Sequence, residues 1–242
     1  MAVFIAALFF PIGVAPAQAQ TDWWDVLNNT PERLIGLLDL EDIVQGGCGS
    51  AAGRATARVF GTPSENGPSI GTLYWHEVPN VECDLMIERA GGVKELVPTL
   101  ESGYDIPAAI VFEQRGSWFR IRLAKGSAWI RRDVRDFLPY PDTVRERLSY
   151  VSYEWDGILR ETPRASGRVV PLTAGWKELL NCAPGIKILD QRRIGREIWL
   201  HIELITDARC GDPLEGLTPV SGWIPAYKPN RAPTVWFSSR GC

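Results

Sequence analysis

The chain has 242 residues, 45% of them apolar and 23% charged, with a formal net charge of −3. That balance excludes a largely disordered chain, and it excludes the overall basic field that nucleic-acid binding draws on. Ten Trp stand against two His, His76 and His201, so any site needing two imidazoles would have to use both.

The first segment reads as a targeting signal. Ala2 to Val14 are almost continuously apolar and lead into Ala17-Gln18-Ala19, an A-x-A cleavage signature. Residues 1–19 are therefore expected to be a signal peptide, with the mature chain starting at Gln20 in a periplasmic or secreted location. The run is too short and too broken by Pro11 and Pro16 to span a membrane, and no later stretch is apolar enough to do so.

Export makes disulfides the expected state of the cysteines. There are five, Cys48, Cys83, Cys182, Cys210 and Cys242, with no C-x-x-C pair and no Cys/His cluster, so no metal site is expected. Cys48–Cys83 and Cys182–Cys210 are the favoured pairs, since each closes a loop within one half of the chain, and Cys210–Cys242 is the rival pairing. Each loop closure of that size stabilises by roughly 3–4 kcal/mol.

Residues 20–53 read as a short helical preface. Thr30-Pro31-Glu32 has the form of an N-cap, an N1 proline and a first-turn acid, and Leu34, Leu37 and Leu38 follow at helical spacing up to Gly46-Gly47. Trp23 and Trp24 are placed to staple this helix down.

Beyond Gly53 the texture turns to short alternating runs punctuated by Gly and Pro, and it does so twice. Arg54 to Phe60, the Thr62-Pro63 and Gly67-Pro68 turns and Ile70 to Trp75 are echoed by Gly157 to Arg160, Thr162-Pro163 and Arg168 to Leu172. Ile110 to Arg115 is echoed by Ile186 to Arg192, the strand Trp118 to Arg122 by Trp199 to Glu203, and Gly126 to Ile130 by Ser221 to Ile224. The expected units are 54–138 and 155–242, joined by a linker over 139–154.

The doubled pattern, Trp-x-x-Ile, a turn, then Gly-x-x-Trp-Ile or Gly-Trp-Ile, resembles the later strands of bacterial SH3-like domains. Thr62 to Leu73 is similar to the early loop and second strand of that family. Each unit is longer than the family's usual domain, with extra segments at Val78–Gly103 and Thr206–Pro219. The resemblance implies an all-β protein: two small SH3-like β-barrels in tandem with a short N-terminal helix. It also implies that Trp118 and Trp199 border ligand grooves, whereas Trp129 and Trp223 pack inward.

Strand alternation adds that Phe119 and Ile121 face a core while Trp118, Arg120 and Arg122 share the opposite face. Tyr74 and Trp75 are further groove candidates, since Tyr and Trp combine contact area with a polar edge. The stretch 115–147 holds nine basic and four acidic residues, a local net of +5, which suits an anionic polymer or a membrane surface if it is not simply solvated.

No nucleophile, base and orienting acid recur in a catalytic pattern. Asp84, Glu88, Glu95 and Glu101, and Asp207, Asp212 and Glu215, lie in polar insertions where solvated charge explains them. No catalytic residue and no cofactor is expected. The expected role is an exported envelope protein that binds peptidoglycan or a protein partner, not nucleic acid. A divergent envelope hydrolase using a carboxylate or His76 and a purely structural assembly domain are the alternatives.

Overall fold

The computed structural model describes residues 23–40, 43, 56–76, 84–103, 106–180, 184–208 and 217–238; side chains of 206–208 fall outside that description. The first part of the chain forms α1 (Trp23–Asn28), β1 (Gly36–Asp39), β2 (Ala57–Phe60), β3 (Ser69–His76), β4 (Asp84–Glu88), β5 (Lys94–Leu96), β6 (Thr99–Gly103), β7 (Ile106–Arg115), β8 (Trp118–Arg122), β9 (Ser127–Arg131) and, after a 3-10 turn, β10 (Phe137–Pro139). The second part forms α2 (Tyr140–Arg145), β11 (Ser149–Val151), β12 (Leu159–Arg160), β13 (Val169–Val170), α3 (Ala174–Leu179), β14 (Pro184–Ile194), β15 (Glu197–Ala208), β16 (Val220–Pro225) and β17 (Val235–Phe237). The protein is mostly β-sheet, as expected for the all-β class.

Two sheets carry one strand order. The first runs β10-β1-β7-β8-β9-β2-β3 and continues through β4 and β5, with β6 added beside β7; the second runs β17-β11-β14-β15-β16-β12-β13. The match extends to register. Phe119 pairs with Ile130 and Arg120 with Trp129, just as Leu200 pairs with Ile224 and His201 with Trp223. Both long hairpins carry a register shift at the same place, between Val111 and Glu113 and between Ile188 and Asp190. Trp118 therefore corresponds to Trp199, and Trp129 to Trp223. Among the described residues no pairing joins the two ends of either path.

The Thr-Pro turns are also duplicates. In one, Gly61 N–H donates to Pro68 O, Ser64 N–H to Thr62 O and Gly67 N–H to Ser64 O; in the other, Glu161 donates to Arg168 O, Arg164 to Thr162 O and Gly167 to Arg164 O. A Cβ on Gly67 or Gly167 would stand 2.3 or 2.7 Å from the hydroxyl of Thr62 or Thr162, which is why glycine closes both turns.

Two expectations need correction. The segment after Thr30 is not a helix: Gly36–Asp39 is β1, paired to β10 on one side and to β7 on the other. Leu37 and Leu38 are consecutive and both buried, one in each hydrophobic cluster, which a strand covered on both faces allows. The short helix is α1, one step earlier, and Trp24, at 3% exposure, lies on its buried side. Within the stretch 139–154, Pro139 ends β10 of the first sheet, Tyr140–Arg145 is α2, and Ser149–Val151 is β11, which pairs with both β14 and β17 of the second sheet.

Burial explains how the sheets meet. Ala108 to Phe112 of β7 are buried without a break. Ala109 and Val111 point into a core with Leu38, Phe119, Ile121 and Ile130. Ala108, Ile110 and Phe112 point the other way, into a core shared with Leu27, Tyr140, Ile186, Leu200 and Phe237. The first sheet thus has its own core on one face, and its other face helps build the core of the second. Tyr227 hydroxyl donates to Leu34 O at 2.8 Å, and Lys228 Nζ donates to Asn28 Oδ1 at 2.7 Å, tying the preface of the chain to its end.

Candidate functional site

The outer face of β8 is built by alternation. Phe119 and Ile121 are fully buried, whereas Trp118, Arg120 and Arg122 remain partly exposed on the opposite face. Residues directly opposite on neighbouring strands share a face, so Trp129, the partner of Arg120, belongs with them. Trp129 and Trp223, expected to point inward, are buried to 6% exposure on these outer faces and belong to neither hydrophobic cluster. Guanidinium groups cover them: Arg115 lies 5.1 Å from the Trp129 ring centroid and Arg192 lies 5.0 Å from that of Trp223. Each arginine is held by a carboxylate two residues earlier, Glu113 at 2.7 Å and Asp190 at 3.2 Å. A carboxylate, an arginine and a tryptophan ring thus recur at equivalent positions of both sheets.

On the first face, Arg120 is the hub. Its Nη1 and Nη2 donate to the Glu32 carboxylate at 2.6 and 2.7 Å, and its Nε donates to Glu113 at 3.2 Å. The Arg120 hydrogen bonds hold the Glu32 carboxyl below its ordinary pKa, those from Arg115 and then Arg120 do the same for Glu113, and the two carboxylates push the Arg120 guanidinium up. Arg122 reaches the end of α1, donating to Val26 O at 3.1 Å and Thr30 Oγ1 at 3.0 Å, and burial lowers its pKa. Residues 26–32 therefore lie against part of this face. Trp118 meets the edge of Phe60, 5.5 Å between ring centroids.

The second face departs from the first. Trp199 is only 3% exposed and its indole N–H donates to Glu197 at 3.2 Å, so it does not open onto a groove. His201, in the place of Arg120, stacks on Trp223 at 4.8 Å. Tyr74 and Trp75 are both buried and point to opposite faces: Trp75 enters the first core, and Tyr74 borders an open concavity of about 550 Å³ with Thr72, Glu88 and Arg89. His76 is exposed at the end of β3.

The basic stretch 115–147 is largely matched within the chain. Arg131 pairs with Glu65, Arg135 with Asp133 and Arg145 with Asp142, beside the pairs of Arg115 and Arg120. Arg147 donates to the backbone of Ser102. The Asp133 carboxyl is lowered to about 2 by hydrogen bonds from Arg135. Among the described residues no group of His, Cys, Asp and Glu is placed to hold a metal ion, and no helix is long and apolar enough to cross a membrane. Cys48, Cys83, Cys182, Cys210 and Cys242, together with Asp212, Glu215 and residues 1–19, expected to be a signal peptide, lie outside the described residues.

Glu32, Glu113, Arg115, Asp190 and Arg192 were not among the expected site residues. The signal for four of them was the matched Glu113-Gln114-Arg115 and Asp190-Gln191-Arg192, whose alternation puts acid and arginine on one face. Set against family models, curated proteins and solved structures, the chain matches none of them.

Proposed function

We propose that this chain is an exported, non-catalytic binding or scaffolding protein of the bacterial envelope, made of two SH3-like modules that each form a small barrel. The observation that carries the reading is the recurrence of the arginine-over-tryptophan pair at equivalent register in both sheets. Such a pair presents a guanidinium backed by an aromatic ring, suited to peptide or glycan ligands bearing carboxylates. The ligand is peptidoglycan or an envelope protein. The first face is partly covered by residues 26–32, and the second differs by His201, so the two modules have diverged in what they present.

Co-sedimentation of the purified chain with cell-wall sacculi tests this. Binding without release of soluble muropeptides, weakened about tenfold by Arg115→Ala with Arg192→Ala, supports the reading. Release of muropeptides would replace it with an envelope hydrolase. Neither binding nor release, with no partner retained from envelope extracts, would leave a purely structural role.

A further inference from the structure

Outside the basic stretch, four arginines without a salt bridge among the described residues come from segments that the fold brings together. Arg33 precedes β1, Arg193 and Arg196 flank the turn between β14 and β15, and Arg231 sits in the turn before β17. These three distant segments meet where the two sheets join. Arg33 lies over the Tyr227 ring, 4.1 Å from its centroid, and its Nη1 donates to Arg196 O at 3.4 Å. Arg231 N–H donates to Lys228 O in the turn closed by the Tyr227–Pro233 bridge, and Arg193 pairs with Ile198, whose carbonyl accepts from Ala226 N–H beside Tyr227.

None of the four forms a salt bridge within 4.0 Å among the described residues; of the neighbouring acids, Glu32 is held by Arg120, and Glu197 accepts from the Trp199 indole, which leaves its charge in place. Two further features mark the place. The Nε of Arg33 is buried with no acceptor. Arg231 holds φ at 72°, the left-handed region that costs a non-glycine residue free energy, and it is the single such residue among those described. Three of the side chains, Arg193, Arg196 and Arg231, are exposed, and the turn they frame also exposes Ile194 at 47%.

Gathering four positive charges around two acids, one of them already held by Arg120, leaves an excess of positive charge in the free chain, and a multivalent anion bound among them offsets it. Guanidinium forks match the oxygens of phosphate and carboxylate groups in paired hydrogen bonds. We propose that this junction is a binding site for a multivalent oxyanion, a ligand carrying two or more phosphate or carboxylate groups. The site is separate from the two arginine-over-tryptophan faces, and its test does not depend on them.

The test is calorimetric titration of the full chain with tripolyphosphate at low ionic strength, alongside sedimentation with phosphatidylglycerol vesicles and with phosphatidylcholine vesicles. The expected result is a single saturable site, weakened by salt, whose affinity falls about tenfold or more in Arg193→Gln/Arg196→Gln. Lys177→Gln/Lys187→Gln, which removes the same charge from exposed lysines of the same sheet region, is expected to leave it unchanged. Arg33→Gln is a third probe, but Arg33 is half-buried, so the exposed pair decides. If tripolyphosphate binds, the ligand is a soluble oxyanion. If only phosphatidylglycerol vesicles bind, and Arg193→Gln/Arg196→Gln reduces that binding toward the phosphatidylcholine level, the oxyanions are lipid headgroups. Absence of binding to both probes overturns the proposal. So does binding that survives loss of Arg193 and Arg196, or that both double variants weaken equally.

Discussion

The carboxylate of Glu32 faces the guanidinium of Arg120 through two hydrogen bonds of 2.6 and 2.7 Å, between residues 88 apart in the chain. This pair fastens the segment before β1 onto the outer face of β8. The Arg120 hydrogen bonds lower the Glu32 pKa from 4.5, so the stabilisation is present above that ordinary value and is lost as the pH falls through the lowered one. With the Glu32 side chain 43% exposed, screening limits the loss in Glu32→Gln to about 1 kcal/mol at neutral pH. Melts of both proteins across an acid series should show the difference shrinking to nothing in acid. A difference that persists there would mean that the side chain acts by packing.

Phe119→Ala removes a fully buried ring from the first core and should cost about 3–5 kcal/mol. Trp118→Ala, on the partly exposed face where the ring meets the edge of Phe60, should cost about 1 kcal/mol. Urea denaturation of both variants measures the gap. Equal losses would place Trp118 in the core.

The two Thr-Pro turns make a paired test. In Gly67→Ala the new methyl meets the Thr62 hydroxyl at 2.3 Å and backbone only at 3.1 Å, so Thr62→Ala should restore most of the lost stability. In Gly167→Ala the backbone oxygen of Thr162 is already 2.9 Å away, so Thr162→Ala should restore little. Thermal melts of the four single and two double variants form the cycles.

Tyr140 is fully buried at the start of α2, its hydroxyl 3.0 Å from Ala226 O and 2.9 Å from Val235 O. Tyr140→Phe removes that donor from a buried site and should cost about 1–3 kcal/mol. Because Tyr140 packs in the core shared by both sheets, loss should appear in one cooperative transition. Two separated transitions would show that the sheets unfold independently.

If the chain is exported and oxidised, alkylation followed by mass spectrometry should find two intramolecular disulfides, one free thiol and an N-terminus at Gln20. Five alkylated cysteines without reduction would remove the expected stapling and much of the case for export.

Local patterns carried the parts of this protein that depend on near neighbours. The alternation through Trp118 to Arg122 determines which side chains share a face, because successive residues of a strand must point apart. The repeated Thr-Pro and Gly turns, and the doubled Trp-x-x-Ile, marked a duplication that the strand order and register of the two sheets carry through. Leu37-Leu38 defeated that approach: an apolar pair reads as helix or strand alike until β7 and β10 are known to lie on either side. The same holds for Trp129 and Trp223, whose burial follows from composition but whose face follows from the residue opposite. Charge was the least legible property. The stretch 115–147 looked basic because its acids, Glu32, Glu65 and Glu113, lie elsewhere in the chain. The cluster of Arg33, Arg193, Arg196 and Arg231 has no sequence signature, since tertiary packing alone brings its three segments together. Coulomb energy depends on distance in space, which adjacency along a chain does not report.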